Sequence, residues 1–474
     1  VKDVAPPLSS SNPVELTGAG GRLFLRADDG VSGSELWTSD GTPAGTKLVL
    51  DINPGSPAAF PHSLRELGGA LTFFTGNWNH QELWRSDGTP AGTVRLRTFQ
   101  PTLNAYQYGL PVLFEGHLYF MATDATAGME LWRSNGTAAG TSRVVDLWPG
   151  TSSGTPGEPT PMGGVLYFTG NDGVTGMSLW KTNGTAAGTV RVRTLSGPRE
   201  LTPFGGALYL SAHDPATSRS LGLWKSNGTA AGTVLVKPHH ISLSSLTVLE
   251  GSLYYFAGDE LWRSNGSPEG TVKVAGFDTG NTAISSAMVT MRGALFFSLQ
   301  GPLGEELWRS DGTMAGTRLL RDFSPGPASG VSRQPFLVLE PEGILLVAAS
   351  DGSSGMELWA TDGADLWRVT DVAPGNGNAN PGSLTRVGAF VYFTADDGTG
   401  TEPWRLPVKA LEDVTPPTLT CPADQKAEAT AQDGAVVHYA LAPPSDDRTS
   451  AVAVKYSQAS GTKFPLGKST VTVT

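Results

Sequence analysis

ELWTSDGTPAGT, residues 35–46, decides the fold, because the chain carries it nine times, altered to different degrees. Its marker tryptophans are Trp37, Trp84, Trp132, Trp180, Trp224, Trp262, Trp308, Trp359 and Trp404. Successive copies lie 47, 48, 48, 44, 38, 46, 51 and 45 residues apart. Self-similarity at such a period points to a propeller or a solenoid.

One full unit spans residues 13–53. PVELTGAGG ends in a Gly-Gly turn, RLFLRADD is apolar and aromatic, SELWTSDG follows the VSG loop, and TKLVLDIN follows the TPAG turn. Four short runs joined by glycine-rich hairpins predict a four-stranded meander. Side chains alternate across a strand, so Leu36 and Trp37 face opposite sides of their sheet. Both are apolar, as are LYF (118–120, 166–168), TFF (72–74) and YYF (254–256). A sheet apolar on both faces needs a neighbour on each side, which blades around an axis provide.

The expected fold is therefore all-β, a closed β-propeller of about nine four-stranded blades over residues 1–407. The ninth unit stops at EPWRL (402–406) with three strands, and VKDV (1–4) resembles a fourth strand such as LVLDI (48–52). Residues 1–4 are expected to pair beside 402–406 and to remove the exposed edge. An open solenoid is the alternative and would need capping units.

Gly 60 and Pro 34 make up about a fifth of the 474 residues, and a hydrophobic share of 39% still allows a core. A net charge of −11 argues against nucleic acid. No apolar run reaches the ~18 residues of a membrane helix. Cys421 is the one cysteine, so no internal disulfide forms. A start at Val1 instead of Met is what a removed signal segment would leave.

The repeat resembles the ELWxxDGT-repeat family of bacterial, largely secreted or surface proteins, over residues 1–407. The resemblance implies a repeat domain and brings no established chemistry. Residues 408–414 read as a linker. Residues 415–474, through TPPTLTCPAD, DGAVV, PPSDD and FPLGKSTVTVT, resemble the hyalin repeat, an immunoglobulin-like extracellular adhesion module. That resemblance implies a C-terminal β-sandwich that stops short, with Tyr456 and Val473 where the family often has cysteines, leaving Cys421 unpaired.

Three features compete as sites. Asp40, Asp87, Asn135, Asn183, Asn227, Asn265 and Asp311 recur in SDGT and SNGT turns. Free exchange of Asp for Asn suits a turn better than a metal ligand. The loops between second and third strands, among them ADDGVSGSE (27–35), ASDGSSGME (349–357) and ADDGTGTE (395–402), gather Asp28, Asp29, Asp351, Asp396 and Asp397 near the closure point. Clustered oxygens on glycine loops suit Ca²⁺, and these five are the candidate metal residues; the structural alternative is that Asp closes the turn and the loop glutamate bonds the loop backbone. Trp78, Trp148 and Trp367 fall outside the repeat register and could stack on a sugar.

No HExxH, GxSxG or phosphate loop is present. No catalytic residue and no required cofactor are predicted. The functional expectation is a non-enzymatic, extracellular binding or adhesion protein, displaying a scaffold at a bacterial cell surface for a glycan or protein ligand. The alternatives are a polysaccharide-acting enzyme with paired carboxylates at the channel mouth, ~5–10 Å apart, and a purely structural spacer.

Overall fold

Hairpin chemistry sets each blade. In the first, Val14–Ala19, Arg22–Asp28, Ser34–Ser39 and Lys47–Leu50 form an antiparallel meander in sequence order. Gly20 and Gly21 turn its first hairpin at φ 54° and 75°, values that a side chain resists. The structure is a computed structural model. It describes residues 1–6, 9–55, 58–77, 80–100, 111–215, 221–277, 288–332, 336–412, 423–428, 434–440 and 455–472. Among these, eight sheets have four strands in meander order and one has three, Gly382–Val387, Phe390–Asp396 and Thr401–Pro407. The protein is an all-β propeller of nine blades.

The core lies between blades, as the two-faced strands predict. Leu36 joins Leu71 and Phe73 of blade two, whereas Trp37 joins Tyr392 of blade nine. Trp132 packs with Phe74 and Phe99 of blade two, whereas Leu131 packs with Leu166 and Phe168 of blade four. The tryptophan thus faces the preceding blade and the leucine the following one. Fully burying such a leucine stabilises by roughly 1.5–3 kcal/mol. A one-residue slip of the third strand would exchange the two faces.

A cation covers several of these tryptophans. Arg97 lies 4.4 Å over Trp132, Arg193 5.3 Å over Trp224, Lys237 5.5 Å over Trp262 and Arg321 5.1 Å over Trp359. Each comes from the fourth strand of the preceding blade. Lys2 does the same 5.6 Å over Trp37, so the N-terminal segment stands where blade nine lacks a fourth strand.

The expected strand at residues 1–4 does not form. Blade nine keeps three strands, and among the described residues no sheet closes on itself. Glu402 instead accepts the backbone N–H of Val4 at 2.9 Å and of Ser11 at 3.0 Å, and the Ser11 hydroxyl at 2.7 Å. The same glutamate of the repeat acts likewise elsewhere. Glu35 takes Ile52 and Ala59, Glu130 takes Leu147 and Gly154, and Glu306 takes Phe323 and Gly330. In every case the two donors are seven positions apart, as Val4 and Ser11 are. The segment therefore docks as an inter-blade connector would. No hairpin turn ties it to Thr401–Pro407, so nothing fixes a strand register there, and a buried carboxylate takes the Val4 N–H instead. The first strand of blade nine packs against that of blade one.

The linker expected at 408–414 also changes. Val408–Leu411 form a 3-10 turn whose Val408 and Leu411 are buried with Leu358, Ala373 and Phe393. The propeller's core thus extends past residue 407. Farther on, Ala435–Val437 pairs antiparallel with Thr462–Phe464, burying Ala435 and Phe464. Tyr456 lies 5.9 Å from the Tyr439 ring. Cys421 and Val473 fall outside the described residues.

Candidate functional site

The five acidic candidates do not converge on one centre. Asp28 accepts the N–H of Gly30, and Asp29 those of Val31 and Ser32. Asp396 accepts from Gly398 and Gly400, and Asp397 from the N–H and hydroxyl of Thr399. Asp351 accepts from the N–H and hydroxyl of both Ser353 and Ser354. Burial alone would raise its pKa, but these donors outweigh burial and hold the carboxyl well below its ordinary value. Each carboxylate closes its own loop. Among the described residues no group of three or more His, Cys, Asp or Glu side chains is placed to hold a metal ion.

The SDGT and SNGT positions are turn residues. Asp40 Oδ1 accepts the N–H and hydroxyl of Thr42, and Asn135 Oδ1 those of Thr137. An amide oxygen serves as well as a carboxylate, which explains the exchange. The glycine of AGT is required because a Cβ at Gly45 would collide with the Asp40 carboxylate. Of the off-register tryptophans, Trp367 packs on the core of blades eight and nine. Trp148 closes on Gly173, leaving no room for a Cβ there. Trp78 lies outside the described residues.

Two sets of glutamates hold loops and blades, and only the second escaped sequence reading. Glu35, Glu130 and Glu306 are the buried anchors described above. Burial, opposed by the backbone donors, pushes their carboxyls up to about 7. The signal was present in the motif's first letter, but its partners lie in irregular loops. Glu15, Glu158 and Glu200 sit on first strands at positive φ of 59°, 53° and 60°. Glu158 accepts the N–H of Glu200 and of Leu201, and Glu200 that of Leu246, each donor being in the next blade. Glu15 accepts that of Leu64 at 3.4 Å. These carboxylates are engaged in joining blades.

An open cleft lies between blades six and seven, with a volume of about 350 Å³. Its walls include Ala275, Phe277, Gly301, Trp308, Met314 and Thr317, and Glu306 reaches it. The repeat explains why it opens here. The fourth strands RLRTF (95–99), RVRTL (191–195), LVKPH (235–239) and LLRDF (319–323) align with KVAGF (273–277). Phe277 meets Trp308 edge-on at 5.2 Å and 79°, as Phe99 meets Trp132 at 5.2 Å and 80°. The frame is the same, but Ala275 stands where Arg97, Arg193, Lys237 and Arg321 stand. Six positions after the buried leucine of the second strand, blade seven has Gly301, where blades three, four, five and eight have Asp124, Asp172, Asp214 and Asp351. Two side chains are missing from one interface. Trp132 is 1% exposed, while Trp308 is only partly buried. Met314, 73% exposed, and Leu303, 41% exposed, flank the opening.

No family model and no curated protein matches the chain. Solved structures similar to the fold include a puromycin hydrolase at 15% identity and TM-score 0.37, covering 72% of this chain and 58% of that one. A prolyl endopeptidase is similar at 12% identity and TM-score 0.41, covering 73% and 55%. Prolyl oligopeptidase B from Galerina marginata is similar at 11% identity and TM-score 0.40, covering 72% and 56%. The chain spans little more than half the length of these proteins, and the likeness concerns the fold alone. The expectation of a non-enzymatic adhesion scaffold is corrected here. The three solved structures named above are a puromycin hydrolase, a prolyl endopeptidase and a prolyl oligopeptidase, and none is an adhesion protein. The carboxylates of the acidic loops are used on their own turns.

Proposed function

We propose that the propeller is a recognition domain that takes a small ligand group into the cleft between blades six and seven. One observation carries this reading: Ala275 and Gly301 replace longer side chains found at sibling interfaces and leave a face of Trp308 open. The volume of about 350 Å³ falls in the range of small-ligand pockets, roughly 300–1,000 Å³. An apolar wall with a few polar groups, here Thr317 and Glu306, is the usual composition of such a pocket.

In the same reading the nine blades form a closed ring of ELWxxDGT repeats with an immunoglobulin-like module after it. The Val4–Glu402 bond and the packing of the first strand of blade nine on that of blade one support closure. The pairing of Ala435–Val437 with Thr462–Phe464 supports the module.

The test is a fragment screen by ligand-observed NMR on the native protein and on Ala275→Leu. Leucine fits this position, since Leu50 holds it at the interface of blades one and two. Hits that disappear with Ala275→Leu support the reading. No hits, or hits indifferent to the substitution, defeat it.

A further inference from the structure

We infer that the group taken by the cleft is an alkyl cation, a guanidinium or ammonium on an aliphatic stem. The inference rests on the cleft being a ligand site and adds the chemistry of the ligand. It is drawn from the repeats, which show what this frame holds when it is filled.

At five interfaces a cation of this kind lies over the motif tryptophan: Lys2, Arg97, Arg193, Lys237 and Arg321. All five lie within the ~6 Å over which a ring face attracts a cation. The polar end of the site repeats as well. Arg97 donates to the carbonyl of Thr141 at 3.3 Å, and Arg193 to that of Thr233 at 2.6 Å. Both threonines close an AGT turn, and the threonine that closes MAGT in blade seven is Thr317, in the cleft wall. The tryptophan face and the AGT threonine are therefore both at the six–seven interface, and among the described residues no cation lines it.

The alkyl stem has apolar wall to lie on. Leu299, Leu319 and Met314 line the cleft beside Trp308. Arginine and lysine cover apolar surface with their stems in this way while the charged head finds a polar partner. The chain's net charge of −11 favours approach of a cation from a distance. An arginine or lysine side chain of a peptide and a free alkylguanidine present the same chemistry, and the experiment separates them.

The experiment compares butylguanidinium with butylurea, its neutral isostere, by saturation-transfer NMR and titration of the intact protein. The expected result is binding of butylguanidinium at least about fivefold tighter than butylurea, the range of one partly desolvated cation–ring contact. Acetyl-arginine methylamide binding tighter than butylguanidinium points to a peptide as source, and equal or weaker binding points to a free alkyl cation. Ala275→Arg should abolish binding by filling the site from within. Trp308→Leu should weaken butylguanidinium about fivefold while leaving butylurea little changed, and it carries the same comparison if Ala275→Arg does not fold. Equal binding of butylguanidinium and butylurea overturns the cation inference but leaves the cleft as a ligand site. So does a complete lack of guanidinium binding when neutral fragments are still displaced by Ala275→Leu. If Ala275→Arg folds and binds butylguanidinium unchanged, the site is elsewhere and the inference fails.

Discussion

Glu402 accepts the backbone N–H of Val4 at 2.9 Å, joining residues 398 positions apart. The bond stands in for the covalent connector that links every other pair of successive blades. Replacing this buried acceptor leaves donors unsatisfied, which costs about 1–3 kcal/mol. Glu402→Ala should therefore lower stability by that amount. It should also speed amide exchange at Val4 and Ser11, while Gly154, held by Glu130, keeps its protection. Unchanged exchange at Val4 and Ser11 would show that the clasp is not what seats the N-terminal segment.

Much of this was legible because repetition multiplies weak signals. A single ELW is ambiguous, but nine copies of the motif in register, six of them reading ELW, point to strand and face, and Leu36 and Trp37 do face different blades. The sequence also placed residues 1–4 at the open side of blade nine. It could not show that a side-chain carboxylate, not a strand ladder, would hold them, because a VKDV run reads as strand wherever it lies. The acidic loops were open to two readings for a related reason. An Asp that bonds its own loop N–H and an Asp that ligates a metal have the same letters, and only geometry separates Asp397 with Thr399 from a coordination shell. The cleft was legible in principle at Ala275, yet only alignment against Arg97 and Arg321 in space reveals that something is missing.

The nine tryptophans should not be equivalent. Trp132 is 1% exposed, covered by Arg97, and its indole N–H donates to the Ala122 carbonyl at 3.0 Å. Trp132→Ala should cost about 3–5 kcal/mol. Trp308→Ala should cost clearly less, because one face of Trp308 already borders the cleft. Denaturant unfolding of the two variants measures the difference. Equal losses would mean that the cleft is closed in solution.

The turn aspartates should tolerate loss of charge but not loss of the oxygen. Asp40→Asn keeps the acceptor for Thr42 and should fall within about 0.5 kcal/mol of the native protein, as an ordinary surface change does. Asp40→Ala removes two hydrogen bonds and should cost about 1–2 kcal/mol. A large loss in Asp40→Asn would show that the charge itself matters.

Stability should fall as pH rises from 6.5 to 8. Glu35, Glu130 and Glu306 are raised by burial from 4.5 to about 7, so the folded state holds protons that the unfolded chain has released. Their contribution is complete below 4.5 and is lost as pH climbs through 7. His62 and His239, lowered by burial to about 4, act oppositely: the unfolded chain takes up protons below 6.5, so stability is lost there as pH falls. The two effects compete between 4.5 and 6.5, and the glutamates dominate above that. Urea midpoints at pH 6.5, 7, 7.5 and 8 should decline, and Glu130→Gln should make the decline shallower. A flat or rising series would mean that the backbone donors keep these carboxylates ionised throughout.

The last prediction concerns where the propeller ends. The repeat stops at 407, but Val408 and Leu411 turn back onto the core of blades eight and nine, with Leu411 only 1% exposed. The 3-10 turn that carries them follows directly from the third strand of blade nine, on the blade that lacks a fourth strand. It covers apolar surface that a fourth strand does not reach. Leu411→Ala should therefore destabilise the propeller by about 2–4 kcal/mol, the cost of truncating a buried leucine. A chain ending at residue 412 should unfold at nearly the midpoint of the full chain, whereas one ending at 407 should unfold markedly earlier. Thermal unfolding of the three proteins decides. If the 407 and 412 chains melt together, the turn is an ornament on blade nine and the propeller ends where its repeat does. If both melt well below the full chain, the C-terminal residues share the propeller's core.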